Sequence, residues 1–124
     1  MTVEECYKLA VSFIPEVPED NVEMQKHMVN WCNILLAESV GYENIFRRIN
    51  RLPELEVSPR ILGEKEKIPF NEKLVSAAFP YGMARFIFRE NDDISGSHEF
   101  YQLYVNALSE ATPSEIAEVE DVYG

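Results

Sequence analysis

The chain has 124 residues, 46% of them hydrophobic and 27% charged, and a formal net charge of −11. This composition is typical of one globular domain, which excludes wholesale disorder, and a chain of this length buries enough surface to need no disulfide or metal as a staple. Residues 74–84 form the longest uncharged run, too short for the roughly 20 residues of a membrane span, and Met1 is followed by Glu4 and Glu5 rather than by a secretory leader.

The charge is unevenly distributed along the sequence. Residues 1–46 hold eight acidic and two basic residues, residues 47–89 hold nine basic and five acidic ones, and residues 90–124 hold nine acidic and no basic ones. The net charges of the three segments are therefore −6, +4 and −9. Because an acidic chain repels nucleic acid, we expect nucleic acid to be at most a peripheral partner. The pattern favours contacts in which the acidic end of one subunit meets the basic middle of another.

A first helix is predicted directly after the start of the chain. Thr2 and Glu5 form a capping box, and Pro15 ends the helix because proline cannot donate a backbone hydrogen bond. Between them, apolar residues recur at the spacing of one helical face: Val3, Cys6, Tyr7, Ala10, Val11 and Ile14. Cys6 and Cys32, which falls on the next helix, are expected to be small core residues rather than a disulfide or zinc site.

A second, longer helix is predicted after Asp20 or Asn21, either of which is a suitable cap. Its apolar stripe runs from Met28 to Val40, and Gly41 is a natural stop because glycine readily adopts the left-handed cap conformation. Residues 42–50 are again typical of a helix. The pattern leaves open whether they continue the second helix after a bend or form a separate one.

Residues 52–69 change character. Prolines and a glycine recur too often for a helix, at Pro53, Pro59, Gly63 and Pro69, and apolar residues between them show hints of alternation. We expect an extended arm or a loose two-stranded ribbon. A connection of this length in a small domain is usually functional or disordered.

The third predicted helix carries more apolar residues than one face can hold. It begins with a hydrophobic staple of Phe70 and Val75 around the cap Asn71, and Pro80 and Gly82 are expected to kink or split it. A helix without a polar face is buried on more than one side, so we expect neighbouring subunits to cover its second face. The candidate subunit contacts on this helix are Phe79, Tyr81 and Phe86.

A fourth helix is predicted from Ile94 or Ser95 to Leu108, with Ile94, Tyr101 and Tyr104 among its inward side chains. The chain then continues into an acidic tail that opens with a capping box at Thr112 and Glu115. A solvated tail has no need of apolar side chains, so docking on a neighbour or on its own domain is slightly favoured over a free terminus. The candidate contacts in the tail are Ile116, Val119, Val122 and Tyr123.

We find no pattern of catalytic or ligand-binding residues. The five glycines never cluster into a phosphate-binding loop, and His27 and His98 have no metal-ligand spacing to other side chains. Ser95 and Ser97 beside His98 lack the strand-turn-helix setting of a nucleophile. The sequence therefore predicts a protein that is not an enzyme and needs no cofactor or metal.

A cluster of arginines is the clearest basic feature. It consists of Arg47, Arg48 and Arg51 at the predicted end of a helix, with Arg60 in the arm. Cations stabilise helix C-termini, which accounts for the first three without any partner. The alternative is a contact with an acidic surface, of protein or of packaged DNA.

The second half of the chain resembles a known family. The stretches IPFNEKLVSAAFPYGMARFIFRENDD and FYQLYVNAL, residues 68–93 and 100–108, resemble head-to-tail connector or head-completion proteins of tailed bacteriophages. The features that carry the resemblance, in order, are Ile68-Pro69, Pro80-Tyr81-Gly82, Asn91-Asp92-Asp93, Phe100-Tyr101 with Tyr104, and the closing Asp121-Val122-Tyr123-Gly124.

The resemblance implies a structural protein of the virion, assembled in the cytoplasm of the host bacterium. It implies a homo-oligomeric ring beneath the portal, with helical bundles side by side and extended segments reaching the portal protein and the neck or tail proteins. The alternatives are a small acidic phage-encoded regulatory or inhibitory binding protein that mimics DNA, and a tail-completion or neck subunit.

The predicted fold is mostly α, a small bundle of about four helices with an extended arm or β-ribbon between helices two and three. The helical domain spans residues 1–111, with the arm at 52–69, and the acidic tail spans residues 112–124.

Overall fold

The structure, a computed structural model, describes residues 1–15, 17 and 21–113. These residues form five helices, so the prediction of a mostly helical bundle is confirmed. The helices are α1 (Val3–Ser12), α2 (Val22–Gln25), α3 (Met28–Ile49), α4 (Glu72–Glu90) and α5 (Ile94–Ala111). The predicted tail contacts at Ile116, Val119, Val122 and Tyr123 lie outside the described residues.

Three of the helices begin at side-chain caps. The capping box of Thr2 and Glu5 forms at the start of α1, as predicted. Asn71 Oδ1 accepts from the Leu74 amide at the start of α4, and an Asp93 carboxylate oxygen accepts from the Gly96 amide at the start of α5. Each cap satisfies one of the amides that a helix N-terminus leaves without an intrahelical acceptor.

The long helix α3 passes through Gly41 without a break. The prediction that Gly41 ends the helix is therefore wrong, and the alternative of continuation is correct. The helix ends instead at Asn50, where Leu52 N donates to Arg47 O and Arg51 N donates to Arg48 O. This pair of bonds is a Schellman motif, and it places Arg51 in the left-handed region with φ of 59°.

The apolar helix α4 lies at the centre and packs against α1, α3 and α5. It remains one helix through Pro80 and Gly82, so it is not split. Phe79 is fully buried and Phe86 is 4% exposed. Other helices of the same chain cover both faces of α4, so the expectation that neighbouring subunits are needed to cover its second face is wrong.

The connection from α3 to α4 contains no strand among its described residues, and the predicted β-ribbon is not supported. Residues 52–62, which we call the strap, lie along α3 instead of projecting from the domain as a free arm. Ile61 is 2% exposed, and the backbone of the strap is bound by three side chains of α3, those of Asn33, Asn44 and Arg47.

The next residues of the connection pair with the start of the chain. Val3 N donates to Glu66 O at 3.1 Å, and Ile68 N donates to Met1 O at 3.0 Å. Thr2 and Lys67 form an isolated antiparallel bridge. This short pairing fixes the start of α1 beside the entry to α4.

Helix α5 packs against α4 through Tyr104 and Leu108, which are buried. Ile94 and Tyr101 were predicted to face inward but are 72% and 41% exposed. Ile94 is the first residue of α5, and the ring of Tyr101 lies 5.1 Å from the guanidinium carbon of Arg85 rather than in the apolar core.

Candidate functional site

The strap is bound to α3 by two asparagine side chains. Asn44 donates to the Leu55 carbonyl at 3.0 Å and accepts from the Leu55 amide at 2.7 Å. Asn33 makes the same pair of bonds with Ile61, at 2.9 and 2.7 Å. The two asparagines are eleven positions apart, about three helical turns, so they share one face of α3.

Between and beside these contacts, the strap exposes apolar side chains. Val57 is 77% exposed, Leu62 is 82% exposed and Leu52 is 47% exposed. Single exposed apolar residues are common on protein surfaces, but three on one ordered segment of eleven residues form a candidate contact surface.

The basic residues beside the strap fall into two groups. Arg47 and Arg48 are engaged within the chain: Arg47 Nε binds Glu43 at 2.8 Å, and Arg48 Nη2 binds Glu54 at 2.9 Å. Arg51 and Arg60 are exposed. The structure therefore brings the predicted arginine cluster to one end of α3 and to the strap, but its first two members have partners in their own chain.

The Arg47 contact belongs to a buried network. Glu43 is 2% exposed and accepts three hydrogen bonds, from Arg47 Nε, from the Asn71 amide and from Asn71 Nδ2. Asn71 in turn caps α4 through Leu74. A buried carboxylate is tolerated when its oxygens are fully hydrogen-bonded, so this network joins the C-terminal part of α3 to the start of α4.

Tyr81 lies in a cluster of half-buried aromatic rings. Its ring centroid is 5.4 Å from Phe13 and 6.0 Å from Phe100, and Phe100 is 5.1 Å from Phe88. The cluster joins the end of α1 to α4 and α5. Tyr81 is thus chiefly a packing residue with part of its surface free, whereas Phe79 has no exposed surface at all.

A cleft of about 440 Å³ lies where α4 ends and α5 begins. We call it the α4–α5 cleft. Basic side chains meet exposed apolar and aromatic ones on its walls, and Ser97 adds a hydroxyl. The other residues that line it are Arg85, Arg89, Asp92, Ile94, His98 and Tyr101.

Arg85 is the most deeply buried charged group of this cleft, at 5% exposure. Its Nη2 binds Glu38 at 2.9 Å, and its guanidinium carbon lies 4.1 Å from the ring centroid of Phe86. Its Nε is buried and has no hydrogen-bond partner among the described residues. A buried donor of a charged group without an acceptor is costly, so this nitrogen marks unused binding capacity beside the cleft.

Phe86 connects this cleft to α3. It stacks on Trp31, with centroids 5.8 Å apart, and lies under both Arg85 and Arg89, whose guanidinium carbon is 5.6 Å from the Phe86 centroid. Stacking on an aromatic face holds each guanidinium in a defined orientation. Phe86 therefore supports the basic wall from within the core rather than contacting a partner.

A second cleft, of about 410 Å³, lies between α1, α2 and the connection. Its lining is mixed in charge, with Glu4, Lys8 and Glu64, and Tyr7 Oη donates to Asn21 Oδ1. Lys8 and Lys65 bind Glu4 and lower the pKa of its carboxyl, while burial raises the pKa of Tyr7. These groups are matched to each other, so the cleft offers little unused polarity.

No grouping of three or more histidine, cysteine or acidic side chains able to hold a metal occurs within the described part of the chain. Both cysteines are free and buried, and burial raises the pKa of the Cys32 thiol to about 12. A thiol in this environment is not activated as a nucleophile. None of the helices in the described ranges is long and apolar enough to cross a membrane.

Sequence reasoning missed the residues that organise these surfaces. Asn33 and Asn44 resemble ordinary polar positions of a helix, and the signal that distinguishes them is their eleven-residue spacing on one helical face. Arg85 is likewise a visible signal, because it is the one cation in the largely apolar run of residues 74–88 within α4. Its partner Glu38, 47 positions earlier, could not have been identified from local pattern.

No protein-family model, no curated protein and no solved structure matches this chain. The candidate surfaces are those that the geometry defines, namely the strap with its exposed apolar residues and the α4–α5 cleft with its basic wall.

Proposed function

We propose that the chain is a non-enzymatic structural subunit of a phage particle, a head-to-tail connector that forms a ring beneath the portal. In this proposal it assembles in the host bacterial cytoplasm and joins the portal protein to neck or tail proteins in the virion. The likeness of residues 68–108 to connector proteins supports the family, and the strap supports the mode of action.

The strap carries the proposal because it is both ordered and apolar at its surface. Val57 and Leu62 are exposed, while Leu55 and Ile61, which lie close to them in the strap, are held by α3. A segment that is already ordered loses less conformational entropy on binding than a free arm would. Each such side chain gains up to about 1.5–3 kcal/mol when a partner covers it fully.

The exposed cations beside the strap add electrostatic selectivity. Arg51 and Arg60 accompany the apolar residues, whereas the other end of the chain is acidic. Ring closure requires that two different patches of one subunit meet, and patches of opposite charge favour that head-to-tail arrangement over a symmetric pair.

The test is a double substitution, Val57→Glu with Leu62→Glu, in the full chain. Size-exclusion chromatography with light scattering and electron microscopy would follow ring formation and co-elution with the portal protein encoded by the same phage. The wild-type chain is expected to form rings and to bind the portal, and the variant is expected to remain monomeric with an unchanged melting temperature.

Val22→Glu is the matched control, because Val22 is 60% exposed on α2, outside the strap. It should assemble like the wild type. A wild-type chain that stays monomeric at high concentration and ignores the portal would refute the connector role. Normal assembly by the strap variant would show that the strap is not the contact surface.

A further inference from the structure

The α4–α5 cleft has chemistry that the strap-based proposal does not use. Arg89 forms no ion pair within the described residues and lies over Phe86, so the hydrogen-bond donors of its guanidinium are available. Arg85 contributes a buried Nε without an acceptor. Ile94 and Tyr101 also line the cleft, and both are exposed.

A ligand suited to this cleft would combine carboxylates with apolar side chains. Arginine binds carboxylates through paired, charge-assisted hydrogen bonds, and its planar group keeps the geometry that such pairs need. Exposed Ile94 and Tyr101 would be covered by aliphatic or aromatic side chains of the same ligand. A short peptide in which acidic and apolar residues alternate has both properties.

We infer that the α4–α5 cleft binds the acidic C-terminal segment, residues 114–124, of a second copy of this chain. The inference rests on the proposed function and names a contact between neighbouring subunits. The segment has no basic residue. Its acidic residues are Glu115, Glu118, Glu120 and Asp121, and its large apolar residues are Ile116, Val119, Val122 and Tyr123.

Distance favours a second copy over the same molecule. The cleft lies near the start of α5, and Thr112 follows the end of that helix. From His98 to Thr112 the helix rises about 21 Å at roughly 1.5 Å per residue. A segment that returns along α5 at no more than about 3.3 Å per residue spends six or seven residues on the way. Only its last few residues would reach the cleft, whereas a neighbouring subunit can present the whole segment.

Among the described residues, Asp92 is the one carboxylate on the cleft lining, and it gives the inference a second, opposite test. Its negative charge opposes an incoming acidic segment. Asp92→Asn removes the charge and preserves the backbone, because asparagine also tolerates the left-handed conformation found at Asp92, with φ of 56°. Loss of Arg89 and loss of the Asp92 charge should therefore change binding in opposite directions.

The first experiment measures binding of a fluorescent synthetic peptide of residues 112–124 to the full chain by anisotropy. Saturable binding is expected, weakened roughly tenfold by Arg89→Gln, strengthened by Asp92→Asn, and weakened by added salt. Arg60→Gln is the matched control, since it removes an exposed arginine of the strap. No binding, or a loss with Arg60→Gln in place of Arg89→Gln, would overturn the inference.

The second experiment tests whether the contact joins two molecules. One full-length variant carries Arg89→Gln, and another carries Glu118→Gln with Glu120→Gln. Mixing them should restore a one-to-one complex, because one supplies an intact cleft and the other an intact segment, whereas each alone should associate less than the wild type. Failure to associate on mixing would overturn the inference.

The two proposals fail separately. Suppose that Arg89→Gln still forms rings or portal complexes and that the peptide does not bind the wild-type chain. The connector role would then stand, and the cleft contact would be refuted. Peptide binding at Arg89 by a chain that forms no ring and no portal complex would remove the connector role, while the cleft contact would stand.

Discussion

Asn33 and Ile61 are joined by a reciprocal pair of hydrogen bonds, in which the side-chain amide of one binds both backbone groups of the other. The asparagine takes the place that a neighbouring strand would have, since it offers one donor and one acceptor to the same residue. Asn44 repeats the arrangement with Leu55. An extended segment thereby satisfies its backbone against a helix, without a sheet.

Removing one of these amides should destabilise the fold. Asn33→Ala leaves the amide and the carbonyl of Ile61 without partners in a half-buried position, and we expect a loss of about 1–3 kcal/mol in the free energy of unfolding, measured with urea. Asn30→Ala on the exposed side of the same helix is the control, with an expected change of less than about 0.5 kcal/mol. Equal effects for the two variants would contradict the role assigned to Asn33.

Two helical glycines should respond to alanine with opposite sign. A Cβ at Gly82 would lie 2.6 Å from Leu35 Cδ2 and 2.9 Å from Tyr104 Cδ1, whereas a Cβ at Gly41 would meet nothing within 4 Å. We expect Gly41→Ala to stabilise by about 0.5–1 kcal/mol, through helix propensity. Gly82→Ala should destabilise by about 1–3 kcal/mol, because the clash outweighs that gain. Thermal unfolding of both variants checks the pair, and a stabilising Gly82→Ala would show that α4 and α5 can separate at little cost.

Arg51 should be replaceable by glycine with a gain in stability. Its φ of 59° costs a side-chain-bearing residue about 1–2 kcal/mol, and glycine avoids that cost. We expect Arg51→Gly to stabilise by about 1 kcal/mol in urea denaturation, and Arg51→Ala, which keeps the strain, to bring no gain. If the arginine contacts the portal, the glycine variant should be more stable yet bind it less well. A glycine variant no more stable than the alanine variant would contradict the strain at this position.

The buried thiols should make the fold sensitive to alkali. Burial raises the pKa of Cys32 from 9.0 to about 12, and burial together with Cys32 raises the pKa of Cys6 further still. Because the unfolded thiol ionises first, the folded state loses stability as pH rises from about 9 towards 12, and loses none by this route below about 9. Cys32→Ala should show a shallower loss between about pH 9 and pH 10.5 in urea titrations. An equal loss of stability with pH in the wild type and in Cys32→Ala would contradict the buried thiol as its origin.

The helices were predictable where the signal is local. Thr2, Asn71 and Asp93 cap helices within three residues of themselves, and periodic apolar residues identify the faces that they bury. The helix end predicted at Gly41 is wrong because glycine permits a helix to end but does not require it. The apolar stripe of α3 resumes beyond it, and the energy of burying that stripe exceeds the cost of one glycine in a helix.

The course of the connection and the coverage of α4 were not predictable, since both depend on residues distant in sequence. Glu43 reaches Asn71 and Asn33 reaches Ile61, each across 28 positions. The sequence predicts Phe79 and Phe86 as subunit contacts, because it does not show that α1, α3 and α5 surround α4. Of the arginines, the predicted contacts Arg51 and Arg60 are exposed, and their contact role stays a prediction. The sequence pattern did not single out Arg85 and Arg89, which line the α4–α5 cleft.

The two asparagine contacts also subdivide the long connection between α3 and α4. Closing a loop costs entropy that grows with its length, and here the cost is met in short steps: first back to Asn44, then to Asn33, then to the start of the chain at Val3. Once each contact has formed, the next lies only a few residues away, so the contacts of the connection can form one after another from the end of α3. Extra residues inserted between Val57 and Pro59 would lengthen only the middle step, so the contacts at Asn44 and at Val3 should tolerate such an insertion.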